Sequence, residues 1–187
     1  MRVSREAAAE SKARILAAAS KMVRERGVEA TSVADVMHAA GMTHGGFYKH
    51  FDSKDGLIAA AIRYAFDDVV ERFDRRERQD GRAAAIDAYV EEYLSGGHMA
   101  QPGRGCPVAS VGADAGRNTK VLAPEFAAGA EMLIERLGGS PGKPGSSSAR
   151  ARAIRRLARL VGAVVIARAV GSGPLRDEII AACSEPQ

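Results

Sequence analysis

The sequence predicts an all-α chain of about nine helices, with an N-terminal three-helix head followed by a larger helical body. Three observations predict this. Apolar residues recur at helical spacing through most of the 187 residues, and no segment reads convincingly as a strand. Alanine dominates the apolar positions and has the best intrinsic helix propensity. Gly, Ser, Asp and Pro fall where helices begin and end.

Taken in order, the first helix runs over 11–26, with Ile15, Leu16, Ala19, Met22 and Val23 on one face and Gly27 as its C-terminal stop. Ser32 and Asp35 have the spacing of a capping box and open a short helix over 33–40, ended by Gly41. A second short helix is predicted over about 43–51. Asp52-Ser53 then caps a long helix reaching about residue 78, with Ile58, Ala61, Ala65, Phe66, Val69 and Phe73 on its apolar face. Asp80-Gly81 marks a break, and the next helix covers about 83–94. The Gly-rich stretch 95–105 reads as a loop. Helices follow at about 106–117 and 119–137, then a Gly/Pro/Ser linker over 138–148. The last two cover about 149–170 and 174–183, with Pro174 in a first turn. The domain division predicted is 1–55 for the head and 56–187 for the body.

Composition narrows the function classes. Lys and Arg number 27 against 23 Asp and Glu, a formal charge of +4. That excess permits an acidic partner such as nucleic acid without requiring one. Two cysteines far apart, Cys106 and Cys183, argue against a disulfide framework and make a reducing compartment the default. The first 14 residues lack an apolar signal core, so a cytoplasmic location is expected. The stretch 157–170 is broken by Arg159 and Arg168 and is too short and too charged to cross a membrane. His38, His44 and His50 are six apart and share no helical face, so no metal site is expected. No P-loop, dinucleotide fingerprint or paired-cysteine zinc motif occurs, and no cofactor is expected.

The informative block is 32–51. A helix-turn-helix needs a short helix, a turn containing glycine, and a second helix that enters the major groove. Val33, Val36 and Met37 supply the inner face of the first helix, and Ala40-Gly41 allows the turn. Phe47 and Phe51, four apart, anchor the second helix to the core. Thr43, His44, Gly45, Tyr48 and Lys49 are left facing outward. Thr43 and His44 can reach base edges, while Tyr48, Lys49 and His50 can donate to phosphates. Thr31 and Ser32 put hydroxyls and N–H groups at a helix N-terminus, and Lys54 has the same opportunity at the next one.

The pattern Gly-x-x-x-Gly-x-x-Tyr-x-His-Phe-x-Ser-Lys, met by Gly41, Gly45, Tyr48, His50, Phe51, Ser53 and Lys54, resembles the TetR/AcrR family of bacterial regulators. The resemblance is clearest over 15–62. It implies a homodimeric, ligand-responsive transcriptional repressor that binds double-stranded operator DNA through the outward residues of 43–49. It also implies a C-terminal domain for dimerisation and for an unknown small-molecule inducer. His44 and Gly46 depart from the family pattern, which bears on the bases read.

The body carries weaker signals. Leu157, Leu160, Val161, Val164, Val165 and Ile166 cover much of the helix over 149–170, and Gly162 and Ala163 permit close approach. The resemblance implies that this helix and the last one pack against their copies in a four-helix seam. The reading helices would then lie about one DNA turn, ~34–36 Å, apart on a pseudo-palindromic operator. The stretch 140–168 holds seven Lys/Arg and no acid, a solvated face or one paired with acids such as Glu91 and Glu92. Candidate pocket residues are Phe66, Tyr89, Tyr93, Met99, Val111, Phe126 and Met132, residue types that at such positions are more often plain core than ligand contacts.

Cys106 opens the helix at 106, beside Arg104. A helix N-terminus and a nearby Arg both stabilise thiolate, which makes it a candidate redox or electrophile sensor. The Gly105-Cys106 step resembles that of family members related to electrophile-sensing regulators. The other reading is a small buried apolar residue. An enzyme would need His98, Cys106 and Asp114 to form a Cys–His–acid set, and nothing in the sequence fixes that geometry. No catalytic residue is expected.

Overall fold

The computed structural model describes residues 5–138 and 147–184, and every regular element among them is helical. The α-helices are α1 (Arg5–Arg26), α2 (Val33–Ala39), α3 (Lys54–Asp80), α4 (Arg82–Leu94), α5 (Gly96–Ala100), α6 (Pro107–Arg117), α7 (Thr119–Leu137), α8 (Ser147–Val170) and α9 (Pro174–Ser184). Two 3-10 segments, His44–Lys49 and Pro102–Arg104, complete the order.

Local chemistry accounts for the boundaries. Gly27 and Gly41 take φ of 83° and 72°, the left-handed backbone that lets α1 and α2 stop abruptly. The Ser32 hydroxyl accepts from Asp35 N–H at 3.1 Å, and Ser53 accepts from Gly56 N–H at 3.0 Å, so both caps act as the spacing predicts.

Helix α1 begins at Arg5, six residues before the predicted start, and two further elements differ in kind. The segment expected as a helix over 43–51 is a 3-10 turn, with Gly46 N–H donating to Thr43 O and His50 N–H to Phe47 O. Gly45 and Gly46 each weaken an α-helix by about 1 kcal/mol relative to Ala, and a short segment settles for the tighter i to i+3 pattern. The expected loop over 95–105 contains α5, capped by the Ser95 hydroxyl accepting from His98 N–H, and the second 3-10 turn. The predicted linker over 138–148 falls largely outside the described residues.

Two apolar clusters organise the chain. Ile15, Ala19, Met22, Val36, Met37, Phe47, Phe51, Leu57 and Ala61 form the head core. The larger cluster is centred on Phe66, Leu122, Leu133, Leu160 and Val164 in the body. Helix α3 serves both, its first turns in the head and the rest in the body, with α1, α4 and α7 packed around it. Full burial of a side chain such as Phe66 stabilises the fold by about 2–3 kcal/mol.

Charged pairs tie the outer helices down. Arg136 of α7 forms a bidentate pair with Asp74 of α3, both contacts at 3.0 Å, and Arg63 pairs with Glu125. The Arg136 guanidinium holds the Asp74 carboxyl below the usual carboxylate range. On the basic stretch, Arg150 pairs with an acid of another helix, Glu131 of α7. Along α8, Leu157, Leu160, Ala163, Val164 and Ala167 are buried, while Ile154, Val165, Ile166 and Val170 are 42–50% exposed. No helix among the described residues is long and apolar enough to cross a membrane.

Candidate nucleic-acid interface and ligand cavity

The head presents one built surface. Phe47 (2% exposed) and Phe51 point inward, their rings stacked with centroids 5.9 Å apart. Their fixation turns the intervening residues out. Tyr48 is 72% exposed and meets only the edge of Phe47 at 5.2 Å. Thr43, His44, Gly45 and Lys49 are exposed beside it, and His50 is half-buried. Lys54 reaches back toward Glu29 O at 3.5 Å, with its ammonium still at the surface. Ser32 is exposed, although its hydroxyl already caps α2.

Thr31 is a correction. It is 1% exposed, its hydroxyl donates to Gly27 O at 2.8 Å, and its N–H donates to Val28 O. The side chain is thus spent on the turn after α1 and offers nothing to a ligand.

The body holds a cavity of about 240 Å³ between α3, α4 and the segment 98–106. Of the seven predicted pocket residues, only Tyr89 and Tyr93 line it. Phe66 and Val111 are fully buried core, and Phe126 packs edge-on against Phe66 at 5.5 Å. Met132 is half-buried against the same core, and Met99 is half-buried with its carbonyl accepting from Arg168. The other five residues lie outside the wall of this cavity. Helical periodicity marks inward-facing positions but does not separate a packed core from a void.

Cys106 lies at the cavity floor, 3% exposed. Sequence reasoning expected its helix N-terminus and the nearby Arg to favour thiolate. Burial instead pushes the thiol up, outweighing hydrogen bonds from Tyr93, from the N–H groups of Val108 and Ala109, and from Tyr89. The hydroxyls of Tyr89 and Tyr93 face this sulfur, a weak acceptor, and neither has an oxygen or nitrogen partner among the described residues.

His98 does not act on the thiol. Its Nε2 accepts from the Cys106 backbone N–H at 3.0 Å, and its Nδ1 donates to Tyr93 O at 2.7 Å. Asp114 is turned to Arg117 at 2.7 Å. His98, Cys106 and Asp114 therefore do not assemble as a Cys–His–acid set. The two-residue step before α6 must be small, because a Cβ on Gly105 would sit 2.5 Å from His98 Nε2.

Burial lowers the pKa of His98, opposed by its bond to Tyr93 O. The folded pKa lies below the ordinary imidazole value of 6.5, so the unfolded chain binds the proton more readily. The His98 contribution to stability is full above pH 6.5 and is lost as pH falls toward the folded pKa. Melting temperatures of the native chain and of His98→Gln between pH 7.5 and 5 should show a steeper acid decline in the native chain. Parallel curves would remove His98 from that role.

Arg24 was missed by sequence reasoning. It is a buried charge on the apolar face of α1, spaced four from Ser20. Its guanidinium donates to Ser20 O, to the Ser20 hydroxyl and, at 2.8 Å, to Gly105 O on the cavity wall. Burial lowers its pKa, partly offset by Asp68. One side chain thus joins a head helix to the residue preceding Cys106. Asp114 of α6 also abuts Gly27 at the end of α1.

The fold and the head define the class: an all-α helix-turn-helix protein with a helical companion domain. Residues 15–61, about a quarter of the chain, match the family of bacterial regulatory proteins, tetR family. An uncharacterised helix-turn-helix-type transcriptional regulator of Mycobacterium tuberculosis is 28% identical over 123 residues, 64% of this chain and 62% of the relative. The chain therefore spans less than two thirds of that relative's length. The transcriptional repressor KstR2 of Rhodococcus jostii is 37% identical over 59 residues, 32% of this chain and 29% of the relative. Among solved structures, the reduced form of Escherichia coli NemR superposes with a TM-score of 0.73 at 19% identity, covering 92% of this chain and 94% of that one. At that identity the likeness is one of fold.

Proposed function

We propose that this chain is a ligand-responsive transcriptional repressor that binds a palindromic DNA operator as a homodimer and is released by a small molecule in the Cys106 cavity. The observation that carries the reading is the outward set Thr43, His44, Gly45, Tyr48 and Lys49, held on a segment whose inner side is locked by Phe47 and Phe51. A 72% exposed tyrosine beside a lysine, touching the core only at the edge of Phe47, suits phosphate contact. Ser32, His50 and Lys54 extend the same surface. The family match over 15–61 covers this surface and supports the reading.

The homodimer reading rests on α8 and α9. Ile154, Val165, Ile166 and Val170 with Leu175 form an exposed apolar face, and nothing lies within 4 Å of the Cβ position of Gly162. Symmetric pairing there would bury apolar groups that a monomer leaves in water. Val165→Arg should convert the native oligomer to monomer in sedimentation velocity, whereas an unchanged mass would place the seam elsewhere. Release by thiol modification is the second reading, favoured by the position of Cys106 on the cavity floor. Burial raises the thiol pKa, which lowers the thiolate fraction that this reading needs.

DNA binding is tested by a salt titration. Each cation on a phosphate releases counterions, with a slope of about −0.9 per contact in log K against log salt. Lys49→Ala should weaken operator binding about tenfold or more and flatten the slope by roughly two in a dimer, one contact per head. An unchanged slope would take Lys49 off the phosphate backbone.

A further inference from the structure

We propose that the Cys106 cavity takes a small aromatic acid, with its carboxylate at the arginine-lined mouth and a second, ring-borne acceptor held by the hydroxyls of Tyr89 and Tyr93. This rests on the ligand-responsive reading above and names the class of ligand.

The inner end of the cavity asks for an acceptor. Tyr89 and Tyr93 bury their hydroxyl oxygens with no oxygen or nitrogen partner, and Tyr93 is 3% exposed. Phenylalanine at either position would fill the same space at no desolvation cost. Two converging donors that have only the weakly accepting Cys106 sulfur as a partner are instead suited to one carbonyl-type oxygen. The walls ask for a flat ring. Phe73, Tyr89 and Tyr93 form a chain of tilted aromatic contacts with centroids 6.0 and 5.5 Å apart, and Val69 adds an aliphatic face. The volume of about 240 Å³ suits a single substituted ring, since a cavity of ~150 Å³ holds benzene.

The mouth asks for an anion. Arg72, Arg75, Arg76 and Arg104 line it, against the single carboxylate of Glu92. Arg72, Arg75 and Arg76 are each paired with an acid four residues away on α3. Arg104 has no acid partner among the described residues. Behind the wall, the Arg24 guanidinium bonds to Gly105 O and to Ser20, and the Arg168 guanidinium to His98 O and Met99 O, with no carboxylate in contact. The surplus of positive charge around a low-dielectric cavity favours an anionic guest. A ligand with a carboxylate at one end and an acceptor at the other satisfies both.

The test uses the full chain and isothermal titration with three probes: 4-acetylbenzoate, its methyl ester, and 4-ethylbenzoate. The ester removes the charge, and the ethyl compound removes the acceptor at nearly constant shape. The acid with both groups should bind at least tenfold tighter than the ester and several-fold tighter than 4-ethylbenzoate. Arg104→Gln should shrink the first preference at least threefold. Tyr89→Phe with Tyr93→Phe should abolish the second, without lowering the melting temperature. An ester that binds as well as the acid, or no binding by either acid, overturns the proposal. The same samples are assayed for operator binding without ligand. Intact DNA binding with no acid binding would sink this inference alone, whereas acid binding without any DNA binding would sink the repressor reading and leave the cavity assignment standing.

Discussion

Replacing Arg24 by alanine should cost about 3 kcal/mol of folding stability and should also disconnect the cavity from the head. The stability loss follows from what the guanidinium holds. It is 7% exposed and satisfies Ser20 O, the Ser20 hydroxyl and Gly105 O. Truncation takes the donor from Gly105 O and from the Ser20 hydroxyl, each costing about 1–3 kcal/mol, and opens a void where the stem packed. Arg24→Met should lose less, since it keeps the stem and removes a charge that is costly to bury. Arg24→Lys should fall between, because an ammonium cannot reproduce the planar fork.

The functional part of that expectation follows from geometry. The Arg24–Gly105 contact joins α1 to the residue preceding Cys106, so a ligand that shifts this wall pulls on a head helix. In Arg24→Met, the operator and the ligand should each still bind, while the factor by which ligand weakens DNA affinity should fall toward one. That factor is the coupling free energy and is measured by operator titrations with and without saturating ligand. An unchanged factor would route the signal elsewhere, through α3 or through Asp114 at the end of α1.

Gly129→Ala is the second large effect, with an expected loss of about 2 kcal/mol. A Cβ on Gly129 would overlap the Phe66 ring, which is fully buried and wedged edge-on against Phe126. Overpacking of this kind costs about 1–3 kcal/mol, partly offset by the ~1 kcal/mol that Ala gains over Gly in a helix. The midpoint of thermal unfolding should fall by roughly 5 °C at fixed protein concentration. Pairing it with Phe66→Leu should recover part of the loss, because the smaller side chain vacates the space. Additive losses would mean that α7 shifts bodily to accept the methyl group.

The head was legible because its signals are local. The caps at Ser32 and Ser53, the stops at Gly27 and Gly41, and the pair Phe47 and Phe51 each act within a turn or two of chain. The 3-10 geometry of 44–49 was not legible, since periodicity records which side faces inward and not the pitch. Helix α5 was hidden behind Gly96 and Gly97, although the Ser95 cap was present. The cavity was the least legible part. Tyr89 and Tyr93 were identified, but their neighbours Arg72, Arg104 and His98 come from three separate elements. Only the packing of α3, α4 and 98–106 brings them together. Arg24 carried a usable signal: a charge on the inner face of α1 requires partners, and the sequence does not say that one is Gly105 O.

The most direct measurement of the account is selection of genomic fragments by the purified protein at near-physiological salt, with Tyr48→Ala and Lys49→Ala run in parallel. Enrichment of one palindromic site by the native chain, lost in both variants whose melting curves match the native one, is the result predicted. Weak, salt-sensitive retention of all fragments alike, unchanged in the variants, would contradict it.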